Sequence, residues 1–155
     1  MPTANITIRE LCQEDIAKII SLMKNEAYPE LKWQHVTFSE EACRESILFF
    51  SQNKNSKFFL ALKKGEIIGY APCFINRYTF SKDTYASDVT FFVKKEHRGS
   101  FAGKKLIEAM RDFAIKKGAK ELFLTINSGV DIERTEKMLI RIGAEKIGSA
   151  MTFKL

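Results

Sequence analysis

The chain has 155 residues with a net charge of +6, and 45% of its residues are hydrophobic. These values are typical of a globular protein, so we expect one domain over residues 1–155. The three cysteines are odd in number and far apart, which fits neither a disulfide framework nor zinc-ligand spacing. No apolar run approaches the ~20 residues that cross a bilayer, and the first residues lack the apolar region of a signal peptide. We therefore expect a cytoplasmic protein with no metal site and no membrane partner.

The positive charge is spread along the chain, and acidic residues usually lie near the basic ones. A nucleic-acid-binding surface more often gathers Lys and Arg into one stripe. A modest positive balance suits a phosphorylated small molecule equally well. We therefore expect an anionic ligand and no nucleic-acid partner, with a nucleic-acid-binding module as the alternative that the charge alone suggests.

The first third of the chain predicts one strand and two helices. Residues 6–11 alternate apolar and polar side chains, as a strand does. Residues 16–23 carry isoleucine and methionine at helical spacing, which predicts a helix that ends near residues 27–29. Thr37 and Glu40 have the spacing of a capping box and predict the start of a second helix.

The middle of the chain predicts three strands. Residues 58–62 and 67–75 are apolar and flank Lys64-Gly65, a pattern typical of a β-hairpin with a tight turn. After a polar loop, residues 86–93 predict one further continuous strand, which carries Asp88 on one of its faces.

The last third of the chain predicts two more helices and further short strands. Apolar residues between 106 and 114 form one helical stripe, and Gly118 suits the left-handed residue that follows a helix. Residues 122–126 are fully apolar and predict a short strand, and residues 132–142 predict another helix. The tail, residues 145–155, predicts one or two short strands.

The predicted order is strand, two helices, three strands, helix, strand, helix and a final strand or strands. Hairpin-connected strands come first and a strand–helix–strand unit follows them. This order predicts an α/β (α+β) fold with a mixed, mostly antiparallel central sheet and helices on both of its faces.

The most informative segment is the turn between the strand at 86–93 and the helix that follows it. It reads His97-Arg98-Gly99-Ser100-Phe101-Ala102-Gly103-Lys104. A helix N-terminus presents unpaired N–H groups and a partial positive charge, and glycine lets the backbone come close to a phosphate. The segment has neither the spacing of a P-loop nor the three glycines of a dinucleotide fingerprint. It predicts an anion site, with an ordinary strand–helix connection as the alternative.

This segment resembles the coenzyme-binding motif of the GCN5-related N-acetyltransferase (GNAT) family, Q/R-x-x-G-x-G/A. Arg98 takes the first place of that pattern and Gly103 the last, while Phe101 replaces the middle glycine. Weaker similarities occur in the same order along the chain as in the family: Ile8-Arg9 with Asp15, Ile67-Ile68-Gly69, and Ile140-Arg141-Ile142-Gly143-Ala144.

The resemblance implies acetyl-CoA as acyl-donor co-substrate and an amine as acceptor. Backbone groups of Phe91, Phe92 and Val93 are implied in holding the pantetheine arm between two splayed strands. The residues implied in cradling the pyrophosphate are Arg98, Gly99, Ser100, Phe101, Ala102, Gly103 and Lys104. Asn127, just past the next strand, is implied to face the same cleft, with an ordinary loop asparagine as the alternative.

Acetylation of an amine needs a general base, an oxyanion donor and a general acid. By resemblance Asp88 is the candidate base, because family members often carry an acid on this strand; a solvated strand-end carboxylate is the alternative. The family often places a tyrosine four residues before Gly143, where this chain has Leu139. Either Tyr85 serves as the acid, or the thiolate leaves without help, or no transfer takes place. His97 is more typical of a surface residue than of an acid or base.

Three aromatic residues, Tyr28, Trp33 and Phe38, lie in the region that often shapes the acceptor site in this family, with core packing as the alternative. The resemblance thus implies an N-acetyltransferase that acts on an amine of a small molecule or peptide. A catalytically silent acyl-CoA-binding or regulatory domain of the same fold is the alternative, which Phe101 and Leu139 favour. Since family members often dimerise, the resemblance also suggests a homodimer.

Overall fold

The computed structural model describes residues 5–126 and 128–155. Its strands and helices are, in chain order, β1 (Ile6–Glu10), α1 (Ile16–Leu22), α2 (Glu40–Gln52), β2 (Ser56–Lys63), β3 (Glu66–Arg77), β4 (Thr84–Asp88), β5 (Phe92–Val93), α3 (Ala102–Lys116), β6 (Leu122–Phe123) and α4 (Ile132–Arg141). After α1 the chain continues through a π-helical turn, Met23–Ala27, and a 3₁₀ turn, Tyr28–Glu30.

The sheet has the order β1-β2-β3-β4-β6, and β5 pairs with β3 beyond the end of β4. Every pair is antiparallel except β4 with β6, which is parallel. The β2–β3 hairpin closes through Lys64 and Gly65, which both have positive φ, at 51° and 78°. Such angles define the tight hairpin turn that the sequence predicts.

Two hydrophobic clusters cover the two faces of this sheet. On one face α1 and α2 bury Ile19 and Ile47 against Leu60 and Tyr70. On the other face α3 buries residues such as Leu106 against the sheet. Successive strand residues point to opposite faces, so one sheet serves both clusters. The prediction of a mixed sheet with helices on both faces is therefore confirmed, and truncation of a core residue such as Leu106 to alanine is expected to cost about 2–5 kcal/mol of stability.

The prediction of one continuous strand over residues 86–93 is wrong. β4 ends at Asp88, the chain leaves the strand conformation at residues 89–91, and β5 resumes at Phe92. Up to the break the chain is paired on both sides, with β3 and with β6, whereas β5 pairs with β3 alone among the described strands. β6 is only two residues long and pairs with β4, so β5 and the chain that follows β6 are separated at this point. This separation produces the cleft described below.

Three boundaries differ from the prediction. Ser39, not Thr37, caps α2, because its hydroxyl accepts a hydrogen bond from the N–H of Ala42 at 3.2 Å. The strand expected at 122–126 is limited to its first two residues by the same separation of the strands. No strand forms in residues 145–155, where the apolar side chains are exposed to solvent rather than paired against the sheet.

Two further observations concern the helices. Gly118 and Gly143 follow α3 and α4 with φ of 73° and 102°, the left-handed conformation that favours glycine after a helix. Among residues 5–126 and 128–155, no helix is long and apolar enough to cross a membrane.

Candidate active site

A cleft of about 1320 Å³ opens where β4 and β5 separate from β6. Its walls come from the turn before α3, from the start of α4, and from residues 23–38 after α1. The cleft reaches both faces of the sheet, since Phe92 packs with the α1–α2 cluster and Val93 with the α3 cluster. Two ligands can therefore approach the gap from opposite sides.

The N-terminus of α3 offers free main-chain donors to this cleft. The first backbone hydrogen bond of the helix runs from the N–H of Lys105 to the carbonyl of Phe101 at 2.9 Å. In the described part of the chain, no hydrogen bond uses the N–H groups of Gly103 or Lys104. First-turn N–H groups carry the positive end of the helix dipole. They fit the oxygens of a pyrophosphate group.

The two glycines of the turn have separate physical roles. Gly99 has φ of 90°, a conformation that side-chain-bearing residues rarely adopt, whereas the Arg134 guanidinium that a Cβ would meet at 2.8 Å is the end of a flexible side chain and can move. Gly103 has helical geometry, and its Cβ would meet the Phe91 ring at 3.4 Å, an ordinary contact. A side chain as small as that of alanine therefore fits at Gly103, and backbone strain does not require glycine there.

Phe101 lines the cleft at the start of α3. It occupies the N-cap position of α3 with φ of −77°, a conformation that any residue adopts, so glycine is not required there. Its side chain is 63% exposed. The replacement of the family's middle glycine is thus accommodated without backbone strain.

Lysine and arginine side chains line the cleft. Lys104 lies in the first turn of α3, and Arg134, Lys137 and Arg141 follow at helical spacing on α4, all of them in the cleft wall. Positive charges at a helix N-terminus raise the local potential for an anionic ligand. The donor set therefore fits a phosphorylated coenzyme.

Arg98 is held inside the protein by other residues. Its Nε donates to the carbonyl of Val93 at 2.9 Å, and its guanidinium forms ion pairs with Glu30 and, at 3.6 Å, with Asp131. The guanidinium also lies 5.6 Å from the centroid of the Phe92 ring. Two carboxylates therefore neutralise this side chain, so it does not offer a free positive charge to a pyrophosphate. The Arg98 side chain instead connects three segments of the cleft wall, namely β5, the turn that contains Glu30 and the start of α4.

The remaining residues of the motif divide between the cleft and the core. Ser100 donates its hydroxyl to the carbonyl of His97, which fixes the turn. Ala102 is fully buried in the α3 cluster and is not part of the cleft wall. His97 is half-buried in that wall. Asn127 lies outside the described residues.

Asp88 is the carboxylate at the break between β4 and β5. It is 6% exposed and lies in the cleft wall. Burial raises the pKa of its carboxyl from 3.8 to about 6, and hydrogen bonds from Thr125 oppose this rise. The N–H of Thr125 lies 3.1 Å from Oδ1, and the Thr125 hydroxyl lies 3.4 Å from the same oxygen. A pKa near the working pH suits a general base, and the solvated carboxylate considered above does not match this burial.

Tyr85, the tyrosine considered as the general acid, does not line the cleft. The Tyr85 ring packs on Tyr78 at 5.0 Å and on Phe123 at 5.2 Å, in an aromatic group that is not part of the cleft wall. Tyr85 and Asp88 are three positions apart in the strand, so their side chains point to opposite faces of the sheet. Tyr85 is therefore removed as a candidate for the general acid. Leu139 is buried in the α3 cluster and faces the core.

An aromatic wall stands on the α1–α2 side of the cleft. Tyr28, Trp33 and Phe38 all line it. The Tyr28 hydroxyl donates to the carbonyl of Val36 at 2.6 Å, and the Tyr28 and Phe38 rings are 5.5 Å apart. Their position in the cleft wall is consistent with the interpretation that these residues shape an acceptor site, beside the alternative of core packing.

Sequence reasoning missed three residues of the site. Glu30 and Asp131 bind Arg98 from distant parts of the chain, and Thr125 holds Asp88 across the gap between strands. No local pattern marks these residues, because each acquires its role from a partner at least 30 residues away. Only the fold brings them together.

Comparison with known proteins identifies the family. The profile of the Acetyltransferase (GNAT) family matches residues 19–132. Since this match covers more than half of the chain, the protein belongs to the GNAT acetyltransferase family. No curated protein sequence matches the chain.

Solved structures share the fold. A transcriptional regulator from Bacillus halodurans C-125 gives a TM-score of 0.79 at 15% identity, covering 97% of this chain and 100% of that chain. AAC(6')-Iy, in complex with a CoA-linked bisubstrate analogue, gives 0.76 at 18% identity, covering 97% and 98%. An aminoglycoside acetyltransferase from an uncultured soil metagenomic sample, in complex with sisomicin, gives 0.71 at 23% identity, covering 97% and 96%. At these identities the likeness establishes the fold alone.

Proposed function

We propose that this protein is an acetyl-CoA-dependent N-acetyltransferase that acts on a primary amine of a small molecule or peptide. One observation carries the proposal above the others. Asp88, a buried carboxylate with a pKa raised to about 6, lies at the break between two strands, in the same cleft as the free N–H groups of α3. A base and an anion-binding helix end are thus combined in one cavity.

The donor side of the cleft suits the coenzyme in two places. The first-turn N–H groups of Gly103 and Lys104, with the cations of α4, take the pyrophosphate. The edge of β5 that faces away from β3 takes the amide-bearing pantetheine arm, in the way that an extended peptide adds to a sheet edge. AAC(6')-Iy, which shares this fold, is described in complex with a CoA-linked analogue, and this supports the assignment.

Asp88 acts on the acceptor. Acetyl-CoA supplies an activated acyl group as a thioester. The Asp88 carboxylate takes a proton from the attacking amine, directly or through a water, as the new N–C bond forms and the C–S bond breaks. The N–H of Thr125 donates a hydrogen bond to Oδ1 of Asp88 and so orients the carboxylate across the gap between the strands. Above pH 6 the carboxylate is mostly ionised and ready to accept a proton.

The leaving group receives no proton from a tyrosine of α4. Leu139 occupies the position that often carries a tyrosine in the family, and it faces the core. A thiol has a pKa of about 8.5, so a thiolate departs at neutral pH with little assistance. We therefore assign no general acid, and solvent returns the proton to sulfur.

The test is transfer of acetyl from acetyl-CoA to a panel of amines, followed by release of the CoA thiol and by the mass of the product. We expect turnover with at least one amine and its loss in Asp88→Ala. Binding of acetyl-CoA without transfer to any amine would support the second candidate, a catalytically silent acyl-CoA-binding domain, which the buried Leu139 favours.

A further inference from the structure

The acceptor side of the cleft has unpartnered apolar surface. Trp33 is 41% exposed and Val89 is 44% exposed, and both line the cleft. Scattered apolar residues on a convex surface are ordinary, but these two line one cavity together with Met23, Leu31 and Phe38. A concave apolar surface with a few polar groups is typical of a small-molecule site.

This wall is fixed by hydrogen bonds of the protein itself. Tyr28 is anchored through its hydroxyl to the carbonyl of Val36, and the N–H of Lys32 donates to the carbonyl of Ser128 at 3.2 Å. The second bond joins the wall to the loop before α4. A preorganised wall loses little conformational entropy when a ligand packs on it.

The carboxylates of the cleft limit the charge that an acceptor can carry. Glu30 and Asp131 are paired with Arg98. Glu133 on α4 has no ion pair among the described residues, but the same wall carries Arg134, Lys137 and Arg141, which also have none. Asp88 is the remaining acidic residue of the described wall, and it is the proposed base. A second ammonium group in this region would therefore meet more unpaired cations than unpaired carboxylates, and like charges brought together repel.

We infer that the acceptor is a primary amine with a single positive charge on an aromatic or aliphatic body, which packs against Trp33 while its nitrogen reaches Asp88. This inference rests on the proposed function. It distinguishes the chain from an enzyme for polycationic acceptors such as the aminoglycoside in the sisomicin complex named above.

The kinetic test compares 2-phenylethylamine, ethylamine, spermidine and sisomicin at saturating acetyl-CoA. We expect kcat/KM for 2-phenylethylamine to exceed that for spermidine and sisomicin by at least about tenfold. Trp33→Ala should raise the KM for 2-phenylethylamine about tenfold, the factor for losing one well-packed apolar surface, and should change the rate with ethylamine far less. Trp33→Phe should restore most of the loss. Phe80→Ala, which removes a ring that is 85% exposed and outside the cleft wall, is the matched control.

A binding measurement separates this inference from the proposed function. Trp33 is the only tryptophan of the chain, so intrinsic fluorescence reports directly on the wall. We expect a saturable change with 2-phenylethylamine in the presence of CoA and none with spermidine at equal ionic strength. The same fluorescence result without any acetyl transfer would contradict the proposed enzyme activity but support the inferred amine site. Faster turnover or tighter binding of the polycations, or no fluorescence change with any amine, would overturn the inference.

Discussion

The proposed donor and acceptor sides of the cleft differ in the kind of group that lines them. The donor side consists of main-chain groups, namely the free edge of β5 and the first-turn N–H groups of α3. The acceptor side consists of side chains, with Trp33 and Phe38 on one wall and Asp88 at its base. Main-chain groups are the same in every residue, so they suit a constant donor. Side chains differ from one protein to another, so they select the acceptor.

The largest expected effect is on the base. Asp88→Asn keeps the shape of the side chain and its acceptor oxygen for Thr125, but it removes the proton-accepting carboxylate. We expect kcat to fall by about 10²–10⁴-fold. In the wild type, the logarithm of kcat should rise with pH through about 6, where Asp88 ionises, and then level off.

The pH profile of the variant provides the control. Asp88→Asn should lose the rise near pH 6 and keep any limb that belongs to the acceptor amine, and its affinity for acetyl-CoA should stay close to the wild-type value. An unchanged rise in the variant would show that another group is the base.

The next largest effect is expected on the affinity for acetyl-CoA, when a negative charge is placed on the donor side. Gly103→Glu puts a carboxylate at the first turn of α3, where phosphate is proposed to bind. Two like charges about 4 Å apart near a protein surface repel by roughly 3–4 kcal/mol, so the Kd for acetyl-CoA should rise by at least about 100-fold. Isothermal titration calorimetry measures this change.

Gly103→Ala is the matched variant. Its Cβ meets Phe91 at an ordinary contact distance, so it should fold and bind acetyl-CoA within about threefold of the wild type. Equal affinities of the glutamate and alanine variants for acetyl-CoA would show that the phosphates do not bind at the N-terminus of α3.

A smaller effect concerns stability on the acceptor side. The pKa of Asp88 is raised on folding, so its contribution to stability is complete below pH 4 and is lost as the pH rises through about 6. By this linkage the ionised carboxylate costs about 3 kcal/mol at pH 8. Asp88→Asn should therefore become more stable relative to the wild type as the pH rises from 4 to 8. Urea unfolding at several pH values measures this, and a difference that is constant with pH would contradict the burial of the charge.

The smallest effect on activity is expected outside both sides of the cleft. Asp15 is buried and accepts two hydrogen bonds from the Arg9 guanidinium, at 2.6 and 2.9 Å, which hold the pKa of its carboxyl well below the usual range. Asp15→Asn should lower the free energy of unfolding at pH 7 by about 1–3 kcal/mol.

The pH dependence of this loss has the opposite sign to that of Asp88. A lowered pKa gives stability that is present above the unfolded value and is lost as the pH falls through the folded value, so the difference between variant and wild type should shrink in acid. Both kcat and KM should stay unchanged, since Asp15 is outside the cleft wall. A clear loss of turnover in a folded variant would contradict this separation.

The sequence predicted the local elements around the cleft better than the long-range contacts that assemble it. The turn before α3 is a local pattern of glycine and apolar spacing, and local patterns determine helix ends and hairpins. The break after Asp88 was missed because residues 86–93 have strand composition throughout, and the separation depends on where β6 stops. The pairing of Arg98 with Glu30 joins residues 68 positions apart, which no local pattern predicts. Tyr85 was proposed from its place in the sequence, but its ring packs away from the cleft.

The most direct test of the central claim is the melting temperature of the purified protein as acetyl-CoA is titrated into it, with unrelated nucleotides as controls. A ligand that binds only the folded state adds about 2.7 kcal/mol at a hundredfold excess over its Kd. For a chain of this size we therefore expect a saturable rise of roughly 5–10 °C that the control nucleotides do not produce. No rise up to millimolar acetyl-CoA would contradict the account, because the cleft beside α3 would then not be a coenzyme site.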